Sequence, residues 1–307
     1  MTLENLQGVA SAIITPRIKH TTLNKSHNID INYTTFDRLL EWQYAKTDFI
    51  VVLGTTGEAE FLNNTDRELL VTKTCSYFHG HGRNKPVVVG ASAGNTNDAI
   101  SRSQMALELG ADALLITPPP YVKPRQDGIV SHYKKISERT DFAPIVVYNV
   151  PSRVGVNILP ETLEKIAKEC NVLAVKEASG DLKQLTDYVS VSNDSFSVLS
   201  GDDATTFKAI VLGAKGVISV VSNIAPEFMH KMVNDALIKE YVNASEVNQK
   251  LLPLYEASMK FGNPVGIKAM MSLCGYNVGE AHPSLGKVNL EEMAVLKQYL
   301  TTVGEFR

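Results

Sequence analysis

Cysteine and tryptophan are nearly missing from this chain, with three of the first and one of the second in 307 residues. Cys75, Cys170 and Cys274 lie far apart and are odd in number, so they suggest neither a disulfide framework nor a CxxC metal site. They read as packed thiols, and no metal and no cofactor are expected. No stretch approaches the roughly 18 apolar residues of a membrane span, and residues 1–16 lack a basic segment followed by an apolar one. A soluble, cytoplasmic protein with no membrane partner is the expectation. Basic runs are missing too: 30 Lys and Arg against 33 Asp and Glu leave a net charge of −3, with nothing to track a phosphate backbone. Nucleic acid is therefore not an expected partner.

What is present is apolar and regularly spaced. Residues 9–15, 49–53, 86–90, 113–117, 144–150, 172–175, 196–199 and 216–220 are eight mostly apolar runs of strand length. Between them, helical spacing appears at 33–45, 65–78, 97–109, 127–138, 160–168 and 203–212. Pro160 and Pro226 stand where a first helical turn tolerates proline, and Gly110 and Gly213 where helices end. Strands apolar throughout are buried on both faces. Eight of them alternating with helices over about 250 residues point to a closed parallel (β/α)8 TIM barrel. An open doubly wound sheet is the alternative. The barrel is expected over residues 1–235. Residues 236–307 read as a helical appendage, with helices near 242–261, 264–274 and 290–301. Residues 19–31 read as a long loop after the first strand.

Reactive groups of such a barrel gather at the C-terminal ends of its strands. There the sixth strand offers Lys176 after the run Val172-Leu173-Ala174-Val175. An amine in that setting is poorly solvated, and a neutral amine attacks ketones. A lysine that snorkels to solvent or pairs with Glu177 fits the run equally. Tyr148, one strand earlier at the same height, could carry protons to and from an adduct on Lys176, or simply pack. Thr55 and Thr56 sit between Gly54 and Gly57, where backbone can approach a small carboxylate. Capping of the next helix is their other reading, and no Gly-Lys-Ser/Thr follows to make a phosphate loop. Arg153, after a proline turn, could grip a second carboxylate or lie on the surface. Asp202-Asp203 reads as a helix cap rather than a metal ligand pair.

Five motifs occur in order: Gly54-Thr55-Thr56-Gly57-Glu58, Tyr148-Asn149-Val150-Pro151-Ser152-Arg153, Val175-Lys176-Glu177-Ala178, Gly201-Asp202-Asp203 and Gly216-Val217-Ile218-Ser219-Val220. With them, the sequence resembles the dihydrodipicolinate synthase/N-acetylneuraminate lyase family over about residues 6–300. The resemblance implies a pyruvate Schiff base on Lys176, Tyr148 as proton relay, and Thr55 and Thr56 on the pyruvate carboxylate, with Thr56 also in the relay. It implies that Tyr121 reaches into a neighbouring subunit's site, within a dimer of dimers. Gly201 and the backbone at Ile218 would line the same pocket.

Thr-Thr in the glycine turn and Arg153 match the synthases, in which the arginine binds the carboxylate of aspartate semialdehyde. Condensation of pyruvate with that aldehyde, in lysine and diaminopimelate biosynthesis, is the favoured activity. A lyase for N-acetylneuraminate, an aldolase or dehydratase for a 2-keto-3-deoxy sugar acid, and a non-catalytic metabolite-binding barrel are the alternatives. The chain departs from the synthase pattern at Val154, at Ala59-Glu60-Phe61 and in the loop 19–31. Pro120 and Gly94 replace a tyrosine and an asparagine of lysine-inhibited members, so lysine feedback is expected to be weak or absent.

Overall fold

The computed structural model describes residues 6–18, 31–82, 85–192 and 196–303. The loop read at 19–31 lies almost entirely outside the described residues. Eight strands, β1 (Gly8–Ala12), β2 (Phe49–Val52), β3 (Val87–Gly90), β4 (Ala113–Ile116), β5 (Ile145–Asn149), β6 (Val172–Glu177), β7 (Ser197–Ser200) and β8 (Gly216–Ser219), close into a barrel. Each pairs in parallel with its sequence neighbours, and β8 pairs with β1. Every strand residue is buried, which is why the strands read as mostly apolar runs.

Helices cover the outside: α1 (Tyr33–Lys46), α2 (Asn64–Gly80), α3 (Thr96–Glu108), α4 (Gln126–Arg139), the single turn α5 (Pro151–Val154), α6 (Pro160–Glu169), α7 (Leu182–Ser192), α8 (Thr206–Val211) and α9 (Pro226–Leu237). Asparagines start three of them. Asn32, Asn63 and Asn95 accept from the backbone N–H three residues on, and Asn63 and Asn95 also donate to Asp66 and Asp98. Three further helices, α10 (Tyr241–Lys260), α11 (Val265–Leu273) and α12 (Leu290–Val303), pack on one another and, through α10, on α9.

Three local differences from the sequence reading have physical causes. The first strand stops at Ala12, because Ile14 donates its N–H to the Asn223 side chain and the Thr15 hydroxyl turns to Gly57 O. Residues 203–212 form not one helix but a 3-10 turn, Asp203–Thr205, followed by α8. Here Asp203 bonds away from its own element, accepting from the N–H groups of Val220 and Val221. Helix α7 gives no clear helical signal in the sequence. Its serines and Asp187 resemble turn residues, and burial of Leu185 and Tyr188 holds it in place.

Side chains alternate between two cores. Tyr148 and Ala174 face the barrel interior with Leu115 and Ile218, whereas Val147 and Val175 face the helices. The same alternation turns Lys176 inward and Glu177 outward.

Candidate active site

Strand β6 runs two residues beyond the apolar segment, and the ladder explains how. Tyr148 pairs with Lys176 and Asn149 with Glu177 on β5. On the outer face the Glu177 carboxylate accepts from Asn149 Nδ2 at 2.8 Å and from Ser179 N at 2.6 Å. Burial raises the Glu177 carboxyl above its ordinary range, while these bonds oppose the rise. Asn149 also donates to Asn157 and accepts from Ile158 N, which pins both ends of the segment around α5.

On the inner face Lys176 is 6% exposed. It neither snorkels nor pairs with Glu177. Its Nζ lies 4.4 Å from the centre of the Tyr148 ring, and among the described residues no carboxylate forms an ion pair with it. Gly201 supplies the room: a Cβ there would stand 2.9 Å from Lys176 Cε and 2.6 Å from Ala178 Cβ. Any larger residue would displace the lysine stem.

The turn after β2 closes the site from the other side. Leu53 and Glu58 both adopt left-handed backbone, with φ of 59° and 56°, a conformation that costs energy in residues other than glycine. Between them Gly57 N donates to Gly54 O and Glu58 N to Thr55 O. Gly90 admits this fold, since a Cβ there would lie 2.0 Å from Leu53 O. Thr55 and Thr56 do not cap α2, whose cap is Asn63. Instead Thr56 is buried and its Oγ1 accepts from Asn263 Nδ2 at 3.0 Å.

Two adjoining chambers of about 370 Å³ each open over these residues. Thr55, Tyr148, Arg153 and Asn263 line both. The first contains Lys176, Thr56, Gly201 and Asp203. The second is bounded by Phe61, Gly94, Pro120, Val154 and Leu285. Arg153 is carried by α5, which Gly155 ends with a left-handed φ of 83°.

One residue of the sequence reading, Ile218, stands elsewhere. Ile218 pairs with Ala10 and packs in the barrel interior, and Val220 is the residue near the end of β8 that lines the first chamber. Tyr121 is 92% exposed, with φ of 73°, and lines neither chamber of its own chain. Asp202 caps the following turn through Ala204 N. Asp203 does not act as a cap. It is buried in the chamber wall, and burial raises its carboxyl above the ordinary range. Among the described residues no three His, Cys, Asp or Glu side chains gather as a metal site.

Asn263 and the cluster behind it have no signature in the sequence. The carboxylate of Glu58 bonds to Lys268 of α11 and to His282 N, with Arg17 Nη1 4.0 Å away. Burial pulls the Lys268 amine down to about 8, despite its acidic partner. No motif joins residues more than 200 positions apart.

A parallel barrel with a buried lysine at the mouth of β6, a tyrosine against it and a hydroxyl-lined turn opposite has the architecture of Schiff-base lyases that act on 2-keto acids. The dihydrodipicolinate synthetase family pattern matches residues 5–303, and the chain belongs to that family. A 4-hydroxy-tetrahydrodipicolinate synthase of Thermotoga neapolitana is 39% identical over 303 residues, covering 97% of this chain and 99% of the relative. The crystal structure of dihydrodipicolinate synthase from Thermotoga maritima superposes with a TM-score of 0.89 at 37% identity, covering 97% of this chain and 98% of that one. The chloride-inhibited dihydrodipicolinate synthase from Acinetobacter baumannii, complexed with pyruvate, gives 0.90 at 31% identity, covering 97% and 99%.

Proposed function

We propose that this chain is a 4-hydroxy-tetrahydrodipicolinate synthase that condenses pyruvate with aspartate 4-semialdehyde. The observation that carries the reading is the buried Lys176 amine against the Tyr148 ring, in register on adjacent strands and open to a chamber walled by Thr55, Thr56 and Arg153. The relatives' shared name favours this activity over a sugar-acid lyase or a non-catalytic barrel, and the pyruvate complex of the Acinetobacter enzyme supports pyruvate as the first substrate.

In this reading the turn at Thr55 and Thr56 holds the pyruvate carboxylate. Lys176 Nζ attacks the ketone carbon, and the carbinolamine loses water as Tyr148 and Thr56 pass a proton to the departing oxygen. Loss of a methyl proton turns the imine into an enamine. The enamine carbon then bonds to the aldehyde carbon of the second substrate, whose carboxylate Arg153 grips. Finally the amino group of that substrate attacks the imine carbon and displaces Lys176, so ring closure and release of the lysine are one step. Tyr121, exposed in the single chain, completes the proton path of a second copy in a dimer within a homotetramer. Gly201 contributes by leaving space for the lysine. The enzyme works in the cytoplasm.

The test is a side-by-side assay. Pyruvate with aspartate semialdehyde is expected to turn over far faster than the cleavage of sialic or 2-keto-3-deoxy sugar acids. Preferential cleavage of a sugar acid would overturn the assignment and leave the Schiff-base chemistry intact.

A further inference from the structure

A threonine hydroxyl has one hydrogen to give and lone pairs to receive, so the partner that fills a lone pair decides where the hydrogen goes. For Thr56 that partner is Asn263. Its Nδ2, a donor only, lies 3.0 Å from Thr56 Oγ1. The Thr56 hydroxyl therefore accepts on the side of the C-terminal helices, and its own hydrogen stays available to the chamber that holds Tyr148 and Lys176. The amide Oδ1 of Asn263 is buried without a hydrogen-bond partner. The opposite rotation of the amide would let Oδ1 take the Thr56 hydrogen and remove it from the chamber.

The surroundings hold Asn263 beside Thr56. Asn263 sits between α10 and α11, which approach closely at Gly266, where a Cβ would stand 2.5 Å from Ser258 O. Two residues beyond Thr56, the Glu58 carboxylate is bonded to Lys268 of α11, and both side chains are 1% exposed. Pulling the turn away from α11 would leave a buried charge unpaired. The helices outside the barrel thus grip the glycine turn at two points, one electrostatic and one on the hydroxyl itself.

We infer that Asn263 is a positioning residue for the proton path: by donating to Thr56 Oγ1 it reserves the Thr56 hydrogen for the adduct on Lys176 and for Tyr148. This gives the C-terminal helices a direct part in turnover, and it rests on the proton-relay role proposed above for Thr56.

Asn263→Asp tests it, because an ionised carboxylate of the same shape can only accept and draws the Thr56 hydrogen to itself. The expected result is a fall in kcat of about tenfold to a hundredfold, a fraction of what a complete acid–base residue supplies. The KM for pyruvate should stay within about threefold, since Thr55 and the turn backbone remain. Lowering the pH should restore activity in this variant, as the introduced carboxyl gains a proton to donate. Combination with Thr56→Val should add little further loss, because the two changes remove one function. Asn263→Ala, read in the same cycle, serves if the aspartate variant fails to fold. A native kcat and pH profile in Asn263→Asp, or a loss fully additive with that of Thr56→Val, would overturn the inference. Trapping of pyruvate with borohydride in the same samples separates the two levels. An adduct on Lys176 with unaltered Asn263→Asp kinetics sinks only the role of Asn263, whereas no adduct in the native protein sinks the underlying reading.

Discussion

The Nζ of Lys176 lies 4.4 Å from the centre of the Tyr148 ring, and the two residues are paired in register on β6 and β5. The ring positions the amine stem, and the phenol is the part available for proton transfer. Tyr148→Phe separates these roles. It keeps the ring and should lower kcat by about 10²–10⁴-fold, while leaving thermal stability close to native. Steady-state kinetics beside a melting curve checks this, and near-native turnover would remove Tyr148 from the proton path.

Arg153 lines both chambers from a single helical turn and is exposed on its other side. A charge-assisted bond to a substrate carboxylate is worth about 1.5–3 kcal/mol. Arg153→Ala should therefore reduce kcat/KM for the aldehyde by about 10–100-fold and leave the KM for pyruvate little changed. An intact kcat/KM for aspartate semialdehyde would contradict the second-carboxylate role.

Acid should destabilise the protein through His132. This residue is buried on α4, its Nδ1 is 3.0 Å from Thr96 Oγ1, and burial lowers its pKa to about 4. In the unfolded chain the imidazole takes a proton near its ordinary value of about 6.5. The stability that comes from keeping it neutral is whole above that value and is lost as the pH falls toward the folded value. The loss at pH 5 is about 2 kcal/mol. Urea unfolding at pH 7 and pH 5 measures it, and His132→Gln should flatten the dependence. An equal slope in the variant would place the acid sensitivity elsewhere.

L-Lysine should inhibit weakly. Pro120, Gly94 and Phe61 line the second chamber. At its wall, Glu60 is already engaged by Arg102 Nη1 at 2.6 Å, with Arg67 Nη2 3.9 Å away. Titration of the condensation assay with lysine checks this, and half-inhibition at submillimolar lysine would contradict it.

The barrel was legible because each strand is buried on both faces, so β2 to β5 stand out as apolar runs between helical stretches. Lys176 was visible for the same reason, as a charge at the end of such a run. Strand β6 nevertheless reads two residues short, since nothing in Lys176-Glu177 tells that the carboxylate finds partners in Asn149 and Ser179. Asp203 looks like a cap because aspartates after a glycine usually are. Its partners, the N–H groups of Val220 and Val221, come from another unit of the barrel. Asn263 carried no local signal, for its meaning lies in Thr56, which only the folded chain brings beside it.

Borohydride reduction in the presence of pyruvate, followed by mass spectrometry of the intact protein and its peptides, tests the Schiff base most directly. One reduced pyruvate per chain, located on Lys176 and absent from Lys176→Ala, is the expected result. An unmodified native protein, or an adduct on another lysine, would contradict it.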